Sequence, residues 1–152
     1  MKYLICKVAT IKKETGKVIK CGYLSDSISY TEAEVKIYEK MEKIVGLNEF
    51  FDLENITKMK FDEIFSSKRL LKFNEEVLPS WFKVKIFVYN VDEQGKLKKI
   101  SLSYLIQETN ASGVNCIAEK KMYEDNNKDF EIISIVKTNI VDVDIKTDII
   151  YL

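Results

Sequence analysis

The chain has 152 residues, 46% of them hydrophobic, enough for one domain with a real core or two very small ones. Its 24 Lys+Arg balance 24 Asp+Glu, so no long-range field draws it toward nucleic acid or an anionic membrane. It contains no histidine, which removes the commonest general base and metal ligand near neutral pH and excludes Ser-His and Cys-His catalysis as usually built.

Residues 1–9 carry neither a long apolar run nor a small-residue cleavage site and read as a strand rather than a signal peptide. No window approaches the ~18 apolar residues of a membrane span, so the expectation is a soluble, cytoplasmic protein with no membrane partner. In the first strand Leu4, Cys6 and Val8 share one face and Lys7 takes the other. Glu14-Thr15-Gly16-Lys17 turns the chain into a second strand over residues 17–24. Thr31-Glu32-Ala33-Glu34 reads as a capping box, with Tyr30 before it stapling onto Val35. Ala33, Ile37, Met41 and Ile44 then recur at helical spacing up to Gly46. A strand over 54–61 closes the unit, and residues 66–79 form a connector with room for a short helix before Pro79.

The same layout then recurs. Trp81 to Ile86 matches Tyr3 to Val8, and Glu93-Gln94-Gly95-Lys96 matches the first turn. Tyr104-Leu105 matches Tyr23-Leu24, Met122 matches Met41, and Phe130 to Lys137 matches Phe51 to Lys58, all at offsets of 78 to 81. Phe82, Val84, Ile86 and Val88 form the inward face of the new first strand, and a second strand covers 96–106. Asp92-Glu93-Gln94-Gly95 suits a type I turn with Gly95 in the left-handed region. Asn110 or Ser112 caps a helix with Val114, Ile117, Ala118 and Met122 on one face, Asn126-Asn127 ends it, and a strand over 130–143 follows. The expectation is an α+β fold: a tandem duplication of a β-β-α-β unit packed as one domain over 1–152, with repeats at 1–65 and 80–145. Residues 144–152 would add a strand to this fold or to a neighbour, through Ile149, Ile150, Tyr151 and Leu152.

Several of these residues carry a resemblance. Cys6-Lys7-Val8, the Glu14 to Lys17 turn, Tyr23-Leu24, Ser29 to Glu34, Ile56 to Lys58, Glu63 to Phe65 and Phe130 to Val143 follow one another in a fixed order. The chain thereby resembles a family of short proteins from Bacteroidota and their phages whose domain has no known function. The connector and the altered second helix start depart from that pattern. The resemblance implies no catalytic residues.

The candidate chemistry is sparse. Glu14 to Lys17 is not a phosphate loop: Ile11 and Val18 stand where a Walker A motif needs Gly and Ser or Thr, and Asn90 and Leu97 fail likewise in the second copy. Cys6, Cys21 and Cys116 have no metal-ligand spacing and read as free thiols. Glu32, Glu34 and Glu39 read as capping and a solvated helix face, and Asp142 with Asp144 lacks a third metal ligand. No cofactor is expected. Two surfaces remain. Lys12, Lys13, Lys17 and Lys20 on one hairpin, with Lys96, Lys98 and Lys99 on the other, could meet a polyanion, although edge lysines also simply oppose aggregation. Trp81, Phe87 and Tyr89, with Ile149 and Tyr151, could form a protein interface, and the strand aromatics Trp81, Phe82, Phe87 and Tyr89 could instead be a base-stacking platform or simply core. The leading expectation is therefore a non-catalytic binding or assembly protein, self-associating or holding a protein partner, for example a bacteriophage virion component or accessory factor. The alternative is a nucleic-acid accessory protein using the lysine hairpins.

Overall fold

The computed structural model describes residues 3–46, 49–72, 78–144 and 149–152. In chain order its elements are β1 (Tyr3–Lys12), β2 (Val18–Ser25), α1 (Tyr30–Ile44), β3 (Glu49–Met59), β4 (Glu63–Ser66), a 3₁₀ turn (Lys68–Lys72), β5 (Ser80–Val91), β6 (Leu97–Glu108), α2 (Ala111–Glu124), β7 (Phe130–Lys137), β8 (Ile140–Asp144) and β9 (Ile149–Tyr151). The class is α+β, mostly strand, with the strands divided between two sheets. The order strand–strand–helix–strand occurs in both halves, each time followed by a short extra strand, β4 or β8. By contacts the chain separates into two compact units, Met1–Lys60 with Asn139–Thr147, and Phe61–Thr138 with Asp148–Leu152.

The first unit holds a sheet of order β3-β1-β2-β8. β1 pairs antiparallel with β2 and β3, and a register shift at Lys7 and Val8 bends its pairing with β3. Leu4, Cys6 and Val8 pack against Ala33, Ile37 and Met41 of α1, as alternation and helical spacing require. Ile44, expected on that face, is 56% exposed because the helix ends there, with Val45 already extended. The helix also begins earlier than Thr31. Ser29 is the N-cap, its hydroxyl accepting the Glu32 N–H at 3.1 Å, and the Glu32 carboxylate accepts the Ile28 N–H at 2.8 Å. The capping pair is thus Ser29 with Glu32, its return bond reaching Ile28, one residue before the cap, and Tyr30 lies inside the helix rather than before it as a staple. β3 likewise starts at Glu49 and ends at Met59, ahead of the expected 54–61.

The second unit holds a sheet of order β7-β5-β6-β4-β9. β5 and β6 pair antiparallel from Ser80↔Glu108 to Val91↔Leu97. Phe82, Val84, Ile86 and Val88 pack with Tyr104, Ile106 and the expected α2 residues Val114, Ile117, Ala118 and Met122, joined by Phe65 from β4. Gly95 sits at φ 78°, and Asp92 accepts the Gly95 N–H at its carbonyl (3.0 Å) and the Lys96 N–H at its carboxylate (2.8 Å). Asn110 caps α2 through the Gly113 N–H at 2.8 Å. Asn126, at φ 58°, ends the helix in a Schellman turn, with Asn127 N–H on the Met122 carbonyl and Asn126 N–H on that of Tyr123.

The expected strand 130–143 is two strands in different sheets. At the break, the Thr138 N–H and hydroxyl both donate to the Trp81 carbonyl, at 2.9 and 2.7 Å, while the next carbonyl, of Asn139, accepts the Gly22 N–H at 2.9 Å. β7 continues the second unit's sheet beside β5, and β8 lies parallel to β2 in the first. Conversely β4, which follows β3 in sequence, lies parallel to β6 in the second unit, and β9 lies parallel to β4. The boundary foreseen at residue 65 therefore cuts through β4, and of the connector the 3₁₀ turn covers Lys68–Lys72 while 73–77 lie outside the described residues.

Candidate functional site

The first hairpin tip closes when Lys12 accepts the Gly16 N–H at 2.8 Å and donates to Lys17 at 3.0 Å, with Gly16 at φ 68°. Lys12, Lys13, Lys17 and Lys20 are all solvent-facing, but acids interleave with them: Glu49 stands opposite Lys12 on β3, and Lys20 pairs with Glu54 at 3.1 Å. On the second hairpin Lys96, Lys98 and Lys99 are exposed, and Asp92 at the tip is committed to backbone N–H groups. Each tip is a mixed-charge surface.

The aromatic candidates separate. Trp81 is 5% exposed, so its ring belongs to the interior and not to a free interface. Phe87 and Tyr89 are half-buried on the face of β5 opposite α2. The ammonium groups of Lys99 and Lys85 lie 4.4 and 5.2 Å from the Phe87 ring centre, and the Tyr89 hydroxyl meets Glu131 at 3.3 Å. The neighbouring carboxylate and partial burial raise the Tyr89 phenol above its usual pKa, burial first, so it stays protonated. Ile149 and Tyr151 lie on β9, the outermost strand of the second sheet, with Ile149 half-buried and Tyr151 exposed.

Two side-chain arrangements escaped the sequence reading. The first recurs in both units. In unit one Tyr23 of β2 stands in register with Asp142 of β8, and Lys40 of α1 pairs with Asp142 and lies 5.4 Å from the Tyr23 ring centre. In unit two Tyr104 of β6 stands in register with Glu63 of β4, and Lys121 of α2 pairs with Glu63 at 3.4 Å and lies 5.6 Å from the Phe65 ring centre. Burial, followed by the nearby carboxylates, raises the Tyr104 phenol strongly, so it remains neutral. The second arrangement is Glu108, 2% exposed, whose carboxylate accepts from the guanidinium of Arg69 and from the Thr109 N–H at 2.8 Å. Burial alone would raise its pKa, but Arg69, Thr109 and Ser67 outweigh that and hold it below the usual carboxylate value. Arg69 is the chain's sole arginine, which was the available signal.

Among the described residues there is no cluster of three metal-ligating side chains, and no helix is long and apolar enough to cross a membrane. Glu32 serves its cap and Lys36 (3.2 Å). The thiol of Cys6 sits beside a cavity of about 20 Å³ lined also by Tyr23, Ala33 and Ile37, room for one water. Burial pushes that thiol up to about 11, which makes it a poor nucleophile. No curated protein and no solved structure matches the chain. A family model, the domain of unknown function DUF4494, matches residues 2–145, and the chain belongs to that family.

Proposed function

We propose that the protein is a non-catalytic binding and assembly module that acts through protein–protein contacts, by strand addition at a sheet edge. The observation that supports this is the parallel addition of short strands from distant parts of the sequence: β8 on β2, β4 on β6 and β9 on β4. Such addition uses extended backbone and alternating side chains and needs no catalytic group. The outermost strands β8 and β9 also turn apolar side chains to solvent, Val141 on one and Ile150 and Tyr151 on the other. The repeated element order and the near-constant sequence offset support an origin by tandem duplication. In the specific form of this reading the protein is a virion component or accessory factor of a Bacteroidota phage, made in the cytoplasm.

Light scattering at micromolar concentration tests self-association, and immunoblotting of purified particles from the source phage tests incorporation. The expected result is a defined oligomer or a stoichiometric place in the particle. A strict monomer absent from particles and without a defined protein partner refutes the proposal.

A further inference from the structure

We infer that the face of the second sheet around Phe87 binds single-stranded nucleic acid, with a base stacked on Phe87 and phosphates held by Lys85 and Lys99. β5 is an inner strand, flanked by β7 and β6, so its side chains stand on a rigid platform. Phe87 and Tyr89 are two residues apart on one face, about 7 Å along the strand. Across the ladder, Ser101 and Glu131 flank Phe87, Ser103 and Ser134 flank Lys85, and Lys99 stands opposite Tyr89. The result is an aromatic ring bordered by serines, two cations and one carboxylate, Glu131, which faces the Tyr89 hydroxyl at 3.3 Å; the ring with its serines and cations is the composition that takes an unstacked base and its backbone.

Charge supports the choice of ligand. Some lysines, Lys20, Lys36, Lys40 and Lys121, meet a carboxylate, while others, such as Lys96 and Lys98, meet none among the described residues. Neither Lys85 nor Lys99 has a carboxylate within ion-pairing distance among the described residues; both rest over Phe87. A stacking base replaces a weak, exposed cation–π contact, and the released ammonium groups reach phosphates. The fold does not require this arrangement. At the corresponding ladder positions β1 and β2 carry Ala9 opposite Lys20 and Ile11 opposite Val18, with Lys20 already paired to Glu54. This face differs from the sheet edges invoked for protein contacts, so the two readings stand or fall separately. It also moves the polyanion contact from the hairpin tips to the sheet surface, sharing only Lys99 with them.

The test is fluorescence anisotropy with a labelled oligo(dT) of about twelve nucleotides, the matching duplex, and labelled polyglutamate, across a salt series. The single strand should bind, the duplex and polyglutamate much more weakly. Phe87→Leu should weaken single-strand binding roughly 5- to 150-fold, the range for one base–aromatic stack. Lys85→Gln with Lys99→Gln should flatten the log–log salt slope by about 1.4, the equivalent of two phosphate contacts on a single strand. Lys12→Gln with Lys13→Gln should leave affinity unchanged. Circular dichroism of each variant verifies folding. Absence of single-strand binding at low salt overturns the inference. So does equal binding of duplex, equal binding of polyglutamate (which would mark an acidic protein partner), or indifference of a folded Phe87→Leu variant.

Discussion

Gly113 lies in the first turn of α2, where replacing glycine with alanine ordinarily stabilises a helix by up to about 1 kcal/mol. Here the sign should reverse. A Cβ on residue 113 would meet the Glu108 Cγ at 2.4 Å and Cδ at 2.7 Å, closer than any ordinary contact. Glu108 has little freedom to retreat, because it is buried and its carboxylate is tied to Arg69 and to the Thr109 N–H. Overpacking costs about 1–3 kcal/mol, and partial loss of hydrogen bonds to a charged group adds about 1.5 kcal/mol. Less the propensity gain, Gly113→Ala should destabilise by about 1.5–3.5 kcal/mol, a fall in Tm of roughly 3–14 °C for a chain of this size. Thermal and urea melts of the wild type, Gly113→Ala, Glu108→Ala and the double variant complete a cycle. In the Glu108→Ala background the clash is gone, so adding Gly113→Ala should be neutral or stabilising. If Gly113→Ala raises Tm in the wild-type background, or costs the same in both backgrounds, Glu108 does not occupy that space and the reasoning fails.

The same carboxylate should contribute a pH dependence. Its folded pKa lies below its unfolded one, so the stabilisation is complete above the ordinary glutamate value of about 4.3 and is lost as pH falls through the lower folded value. Glu108→Gln should therefore be less stable than wild type at neutral pH, with the gap narrowing below about pH 4 in thermal melts; a constant gap contradicts the assignment. The thiols should label in order of accessibility with an aromatic disulfide reagent near pH 8: exposed Cys116 first, half-buried Cys21 more slowly, and buried Cys6 only on unfolding, since a thiol near 11 is about one part in a thousand thiolate there. Rapid labelling of Cys6 in the native protein would show that its site opens. Phe65, fully buried in the second unit's core, comes from the strand that follows the first half's β3. Phe65→Ala should cost about 3–5 kcal/mol and lower hydrogen-exchange protection in β5 and β6 more than in β1 and β2, whereas an equal or opposite effect would place its contribution elsewhere.

What the sequence could tell depended on how local each interaction is. The inward faces of β1, β5 and α2 follow from side-chain period, and the two turns from glycines at positive φ, so those elements were legible. The start of α1 was ambiguous because Ser29 with Glu32 and Thr31 with Glu34 both spell a capping box, and the pattern alone cannot rank overlapping caps. The placement of β4 and β8 was out of reach. Four or five residues carry too little pattern to choose a sheet, and the polar step Lys137-Thr138-Asn139 between Val136 and Ile140 holds no Gly or Pro to mark the break. The site residues divide the same way. The lysines of the hairpins were visible, but that Lys20 is matched by Glu54 while Lys85 and Lys99 share a ring depends on cross-strand neighbours. Arg69 and Glu108 are 39 residues apart, and nothing between them announces the pair.

The two Lys–carboxylate contacts bear on how such short strands keep their places. Parallel pairing is slightly weaker per residue than antiparallel pairing, and β4 and β8 have only four and five residues to contribute. A one-residue slip of either strand would carry its acid to the opposite face, away from the helix lysine. With Tyr23 opposite Asp142 and Tyr104 opposite Glu63, slipping costs an ion pair in both units and, in unit two, the burial of Phe65 as well. Each pair is partly exposed, and such pairs contribute modestly to stability, on the order of 1 kcal/mol, so the larger effect is on register. That bears directly on the binding proposal. Strand addition is inherently permissive because backbone hydrogen bonds do not read sequence, and an acid held by a helix lysine supplies a side-chain criterion that the backbone lacks.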